Sequence, residues 1–166
     1  MAEKDLLLKL KTEYSGIFDF PAFYSFAYSW FLGEKYDVDE EKYSEKVSGN
    51  ERGIVIEWKS TKKVSDYFKL EIKVKYEVEH LVDVEVEVDG KKKKMNKGKI
   101  TINVASTLIS DYESKWDANP TLRFMREIYN KYIIPGRVDG MKSKVFEDTN
   151  NFLEEAKAYL ELTGRK

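Results

Sequence analysis

The sequence predicts an α+β fold: an antiparallel meander sheet of five to six strands, with N-terminal and C-terminal helices packed on one of its faces. Three observations predict it. Apolar residues recur with period two across residues 41–109, as in half-buried strands. Helical spacing frames that stretch on both sides. No long-period repeat and no linker interrupts the chain, so 1–166 reads as one domain, with N-terminal helices over 1–33, the sheet over 41–109 and C-terminal helices over 119–164.

The first helix is expected over 3–14, where Leu6, Leu7, Leu10 and Tyr14 fall at helical spacing among charged residues and Ser15-Gly16 ends the segment. Asp19 then has the character of an N-cap, with Pro21 tolerated in the first turn of a second helix. That helix, FPAFYSFAYSWFL over 20–32, is apolar on almost every side and stops at Gly33. All-round apolarity belongs to a central core helix, or to one presented to a partner.

Tyr43, Glu45 and Val47 lead to a turn at Gly49-Asn50, and Ile54, Ile56 and Trp58 continue beyond it. The cleanest alternation runs from Phe68 through Leu70, Ile72, Val74, Tyr76 and Val78, with lysines and glutamates between. It slips at His80-Leu81 and resumes as Val82, Val84, Val86 and Val88. Asp89-Gly90 is a preferred two-residue hairpin dipeptide, and a further turn is expected at Asn96-Lys97-Gly98 before Ile100, Ile102, Val104 and Leu108. In the last third, Asn119 caps and Pro120 opens a helix with an apolar stripe of Leu122, Met125, Ile128, Tyr129, Tyr132 and Ile133. Pro135-Gly136 breaks it, and a final helix carries Phe146, Thr149, Phe152, Leu153, Ala156, Tyr159 and Leu160 on one side.

Composition bounds the function. Hydrophobic residues at 42% and aromatics at 14% supply enough apolar surface to offset chain entropy, so the chain folds. A net charge of -1 lacks the basic excess typical of nucleic-acid binders. The absence of cysteine removes disulfides, thiolate nucleophiles and cysteine-ligated zinc. With His80 the sole histidine, no metal site is expected. No Walker loop, GxGxxG, HExxH or GxSxG motif occurs, and no cofactor is expected. The N-terminus lacks a signal-peptide pattern, and the longest uncharged run, 20–33, is shorter than the ~20 apolar residues of a membrane span, which makes the cytoplasm the expected location. The lack of glutamine and the wealth of Lys and Glu match thermophile usage.

Four groups of residues are candidates for function. Ser-Asp-Tyr occurs at 65–67 and again at 110–112, each at the end of an expected strand. If those strands are antiparallel neighbours, Asp66, Asp111 and Glu113 gather near Trp58, Tyr67, Tyr112 and Trp116. Carboxylates flanked by aromatics can act as acid and base or bind a small ligand; aspartate is also common where strands give way to turns. Phe23, Tyr24, Trp30 and Phe31 of the aromatic helix are candidates for an interface with a second copy or a protein partner. Lys91, Lys92, Lys93, Lys94 and Lys97 could grip phosphate. A two-residue turn, however, sets Glu87 opposite Lys92 and Glu85 opposite Lys94, and lysines also protect a strand edge. His80 sits in a turn with no nucleophile pattern beside it, and Arg123 and Arg126 lie one turn apart within reach of Glu127.

The stretch DVEVEVDGKKKKMNKGKITI, with SDYESKW and FMREIYNKYIIPGRVDG, resembles small uncharacterised proteins from archaea with reduced genomes. The resemblance covers residues 65–162. It implies an archaeal α+β protein of unknown function and carries no catalytic or binding residue with it. From the residues themselves the leading expectation is a non-catalytic binding or scaffold domain acting through protein contacts. A pocket near Asp66 and Asp111, and nucleic-acid binding through the Lys91–Lys99 hairpin, are the alternatives.

Overall fold

The computed structural model describes residues 3–64, 68–110, 120–128 and 135–164. Its elements run β1 (Glu3–Phe18), α1 (Phe20–Gly33), β2 (Asp37–Ser48), β3 (Glu51–Lys63), β4 (Phe68–Val88), β5 (Lys91–Ser110), α2 (Pro120–Ile128) and α3 (Pro135–Gly164). The five strands form one antiparallel sheet in the order β1-β5-β4-β3-β2. β2 to β5 are a meander, and the first strand closes on the last. The α+β class and the antiparallel sheet are as the alternation implied.

The N-terminal segment departs from expectation: residues 3–18 are a strand, not a helix. Leu8, Leu10, Thr12 and Tyr14 alternate with Lys9, Lys11 and Glu13, which is also a period of two. A bulge between Leu6 and Leu8 shifts the register and leaves the leucines at helix-like intervals. What selects the strand is β5, whose Val104, Ile102 and Ile100 stand opposite Leu10, Thr12 and Tyr14.

The second departure lies at 96–98, which run through the middle of β5 instead of turning. β4 carries a bulge there, with His80 at φ 56° and Leu81 completely buried. Gly98 faces it. A Cβ on Gly98 would stand 2.9 Å from the Glu79 carbonyl oxygen and 3.1 Å from the Leu81 Cα, so the glycine serves close approach, not a turn. The real hairpin turn is Asp89-Gly90, with φ of 53° and 78°, the positive pair that a type I′ turn requires.

Strand alternation sends Phe68, Leu70, Ile72, Val74, Tyr76 and Val78 to one face, where α1 and α3 lie. α1 starts as its sequence foretold: Asp19 accepts a hydrogen bond from the Ala22 amide at 3.2 Å, and the proline sits in the first turn. Phe23 of α1 meets Tyr76 edge-to-face with centroids 5.9 Å apart, and Phe31 meets Trp58 at 6.3 Å. α3 lies on the same face: Phe152 packs on Phe31 at 4.6 Å, and the hydroxyls of Thr149 and Ser106 are 2.6 Å apart. A buried carboxylate fastens α3 to the loop after α1, since Tyr36 donates to Asp148 Oδ2 at 3.0 Å while Lys144 Nζ lies 3.0 Å from Oδ1. Burial and that carboxylate push the Tyr36 phenol well above its ordinary range, so it remains the donor.

Two apolar expectations for the C-terminal helices change. Phe146 lies on the exposed side of α3, and Asp148 joins the expected Thr149 on the buried one. On α2, Met125 and Ile128 are exposed, as is Phe124; Tyr129, Tyr132 and Ile133 lie outside the described residues. Among the described residues no helix is long and apolar enough to cross a membrane.

Candidate functional site

The two faces of the sheet differ in kind. The inner face is filled by Trp58, Tyr76, Phe23, Phe31 and Phe152. The outer face is polar, and near its centre it holds an open hollow of about 520 Å³, within the range of small-molecule sites. Strand register explains the hollow. Ala105 of β5, a small residue, stands between Lys9 of β1 and Lys73 of β4. One row on, Asn103 stands between Lys11 and Lys75. Two short side chains thus form the floor, and four long cationic ones form the walls. Rows on one face are spaced about 7 Å along the strands, and strands two apart lie about 10 Å from each other, so four ammonium groups can converge on one anion.

The charges bounding the hollow are equally ordered. In the next row toward the hairpin, Thr101 stands between Glu13 and Glu77. Lys11 lies 3.0 Å from Glu13, and Lys75 lies 3.3 Å from Glu77. The Lys11 hydrogen bond, then the charge of Lys99, hold the Glu13 carboxyl below its ordinary value of 4.5, so it stays ionised at neutral pH. At the other end Glu71 is buried and paired with Lys59 at 3.4 Å. Lys9 and Lys73 are different: both are exposed, and neither has a carboxylate partner among the described residues. Glu57 and Glu41, the latter at the bulge of β2, line the side of the hollow toward β2.

Of the described residues singled out from sequence, Trp58 borders the hollow and the others lie elsewhere. Phe23 and Phe31, candidates for an interface, are 1% and 0% exposed and belong to the core. An isolated chain does not offer them to a partner, because β3, β4 and α3 already cover them. Tyr24 and Trp30 are partly buried against that core. Tyr24 donates to Glu40 at 2.7 Å, as does the Trp58 indole at 3.2 Å, and burial together with this bond pushes the Tyr24 phenol up to about 12. Trp58, a ligand-binding candidate, is 1% exposed and enclosed by Tyr24, Tyr28, Phe31 and Tyr76.

The strands that end at the repeated tripeptide are antiparallel neighbours, with Phe68 opposite Ser110. Asp66, Tyr67, Asp111, Tyr112, Glu113 and Trp116 themselves lie outside the described residues, as do the side chains of Arg123 and Arg126.

Lys91, Lys92, Lys93 and Lys94 are exposed on a β4–β5 arm that extends past both neighbouring strands. The register sets Lys92 opposite Glu87 and Lys94 opposite Glu85, and Lys94 also lies 3.5 Å from Asp83. Lys93 stands opposite Val86, on the other face. Lys97 is exposed on the outer face between Ile17 and Val82. The lysines of the hollow escaped the sequence reading because Lys9, Lys11, Lys73 and Lys75 belong to segments far apart in the chain. The alternation of β4 did place Lys73 and Lys75 on its solvated side, which was the one available signal.

Comparison with protein-family models, with curated proteins and with solved structures finds no match to this chain.

Proposed function

We propose that this protein is a non-catalytic binding domain that engages an anionic partner through the outer face of its sheet. The observation that carries the proposal is the hollow over Asn103 and Ala105, walled by Lys9, Lys11, Lys73 and Lys75. Ammonium groups on neighbouring strands repel one another, and an anion between them relieves that repulsion while gaining up to four charge-assisted hydrogen bonds. That Lys9 and Lys73 have no carboxylate partner among the described residues supports a binding role, since each could otherwise have been matched with a carboxylate as Lys11 and Lys75 are. Phe23 and Phe31 are taken up by the core, which favours the open face of the sheet over α1 as the interaction surface. The hairpin arm is a weaker anion site because Glu85 and Glu87 oppose its lysines on one face.

Mapping backbone amide shifts during titration with inorganic sulfate, a generic anion, tests the proposal. Perturbations are expected to cluster at residues 9–11, 73–75 and 103–105. Perturbation confined to the 85–94 arm, or none at all, would overturn it.

A further inference from the structure

We infer that the hollow is built for a compact phosphorylated small molecule, not for an extended polyanion. This inference rests on the anionic-partner reading above and adds the ligand class. A nucleic-acid strand needs a basic track that continues from one phosphate to the next. The lysines of the hollow occupy two adjacent rows, and Lys59, which extends one of them onto β3, is held 3.4 Å from Glu71. Within one row, Glu13 and Glu77 flank Thr101 on both sides, and Glu79 follows in the row of Lys99. A chain of phosphates leaving the hollow toward the hairpin would meet this acidic band; in the opposite direction it would cross the row of Leu6, Thr107 and Glu71, which holds no lysine, before Lys4 and Lys69 flank Ile109. The positive field is therefore a box about 7 Å by 10 Å, set by residue rise and strand spacing. Those dimensions suit one or two phosphoryl groups.

The remaining wall refines the class. Glu57 and Glu41 lie on the β2 side of the same hollow. Ionised carboxylates only accept hydrogen bonds, so the part of the ligand beside them must donate. Hydroxyl groups of a sugar or polyol attached to the phosphate meet that requirement, with the phosphoryl group over Ala105 and Asn103 and the hydroxyls toward Glu57. No bond is made or broken in this binding step.

Isothermal titration of the full chain at low salt, with inorganic pyrophosphate, ribose 5-phosphate and a ten-residue oligothymidylate as probes, tests the inference. The two small phosphates are expected to bind. Binding should weaken at least tenfold in Lys9→Gln/Lys73→Gln, whose exposed positions leave the circular dichroism spectrum unchanged. Glu57→Gln should weaken ribose 5-phosphate and spare pyrophosphate. Oligothymidylate binding without pyrophosphate binding would overturn the compact-ligand inference and leave the anionic face standing. Undiminished pyrophosphate binding in the double variant, or no binding of any probe, would overturn both. Equal effects of Glu57→Gln on the two small phosphates would remove the hydroxyl-bearing half of the class.

Discussion

The Phe20 amide donates a 3.0 Å hydrogen bond to Asn96 Oδ1, joining the first turn of α1 to the middle of β5. Asn96 uses its other end as well: its amide nitrogen donates to Asp83 Oδ1 at 2.9 Å, and Arg52 donates to the same oxygen at 2.9 Å. The first amides of a helix have no partner within it, and here one of them is satisfied by a strand. Asn96 is buried, so neither end of its side chain has water as a ready substitute.

The first prediction is that Asn96→Ala lowers stability by about 1–3 kcal/mol, the cost of leaving a buried donor unsatisfied. Asn96→Asp keeps the acceptor for Phe20 but sets a carboxylate against Asp83, and it too is expected to be less stable than wild type. Urea unfolding midpoints of the three proteins decide the matter. An Asn96→Ala midpoint equal to that of wild type would mean that the bond adds nothing to stability.

A second prediction concerns close approach in the β4–β5 ladder. Gly98→Ala forces a methyl group to within 2.9 Å of the Glu79 carbonyl oxygen, where backbone cannot yield as a side chain would. The expected loss is about 1–3 kcal/mol, the usual cost of overpacking. Gly33→Ala, where a methyl meets nothing within 4 Å, is the control and should change stability by far less. Thermal melting of both variants provides the comparison.

The third prediction is a pH dependence at His80. Its Nδ1 lies 3.0 Å from Glu51 Oε2, and this hydrogen bond, followed by the charge of Glu51, raises the imidazole above its ordinary value of 6.5. A raised folded-state value means that the charged form is favoured by folding. The stabilisation is therefore fully present below pH 6.5 and is lost as pH rises through the folded-state value. A proton NMR titration of His80 should give a midpoint above 6.5 that falls toward it in Glu51→Gln. Equal midpoints in the two proteins would assign the raised value to a cause other than Glu51.

How far the sequence could be read depended on how far each pattern was local. The strand at Phe68–Val78 was legible because six apolar residues alternate without interruption, and the Asp89-Gly90 turn because its two positive φ angles need that kind of dipeptide. The start of α1 was legible because Asp19 caps a helix only three residues away. The 3–18 segment was misread because a single bulge blurs a period of two into helix-like spacing, and only the presence of β5 resolves the ambiguity. Asn96 and Gly98 resembled a turn for an equally physical reason. Both residues are common in turns, and their true roles answer to Phe20 and to the His80-Leu81 bulge, which are distant in the chain.

The sequence by itself determined the α+β class, the capped aromatic helix and the alternation that puts lysines on the solvated side of β4. The tertiary structure alone decided that β1 closes the sheet against β5, and with it that Lys9 and Lys11 come to face Lys73 and Lys75 across Ala105 and Asn103. Alternation specifies which side chains share a face of one strand, whereas neighbours across strands are set by register, a property of hydrogen bonding between segments remote in sequence.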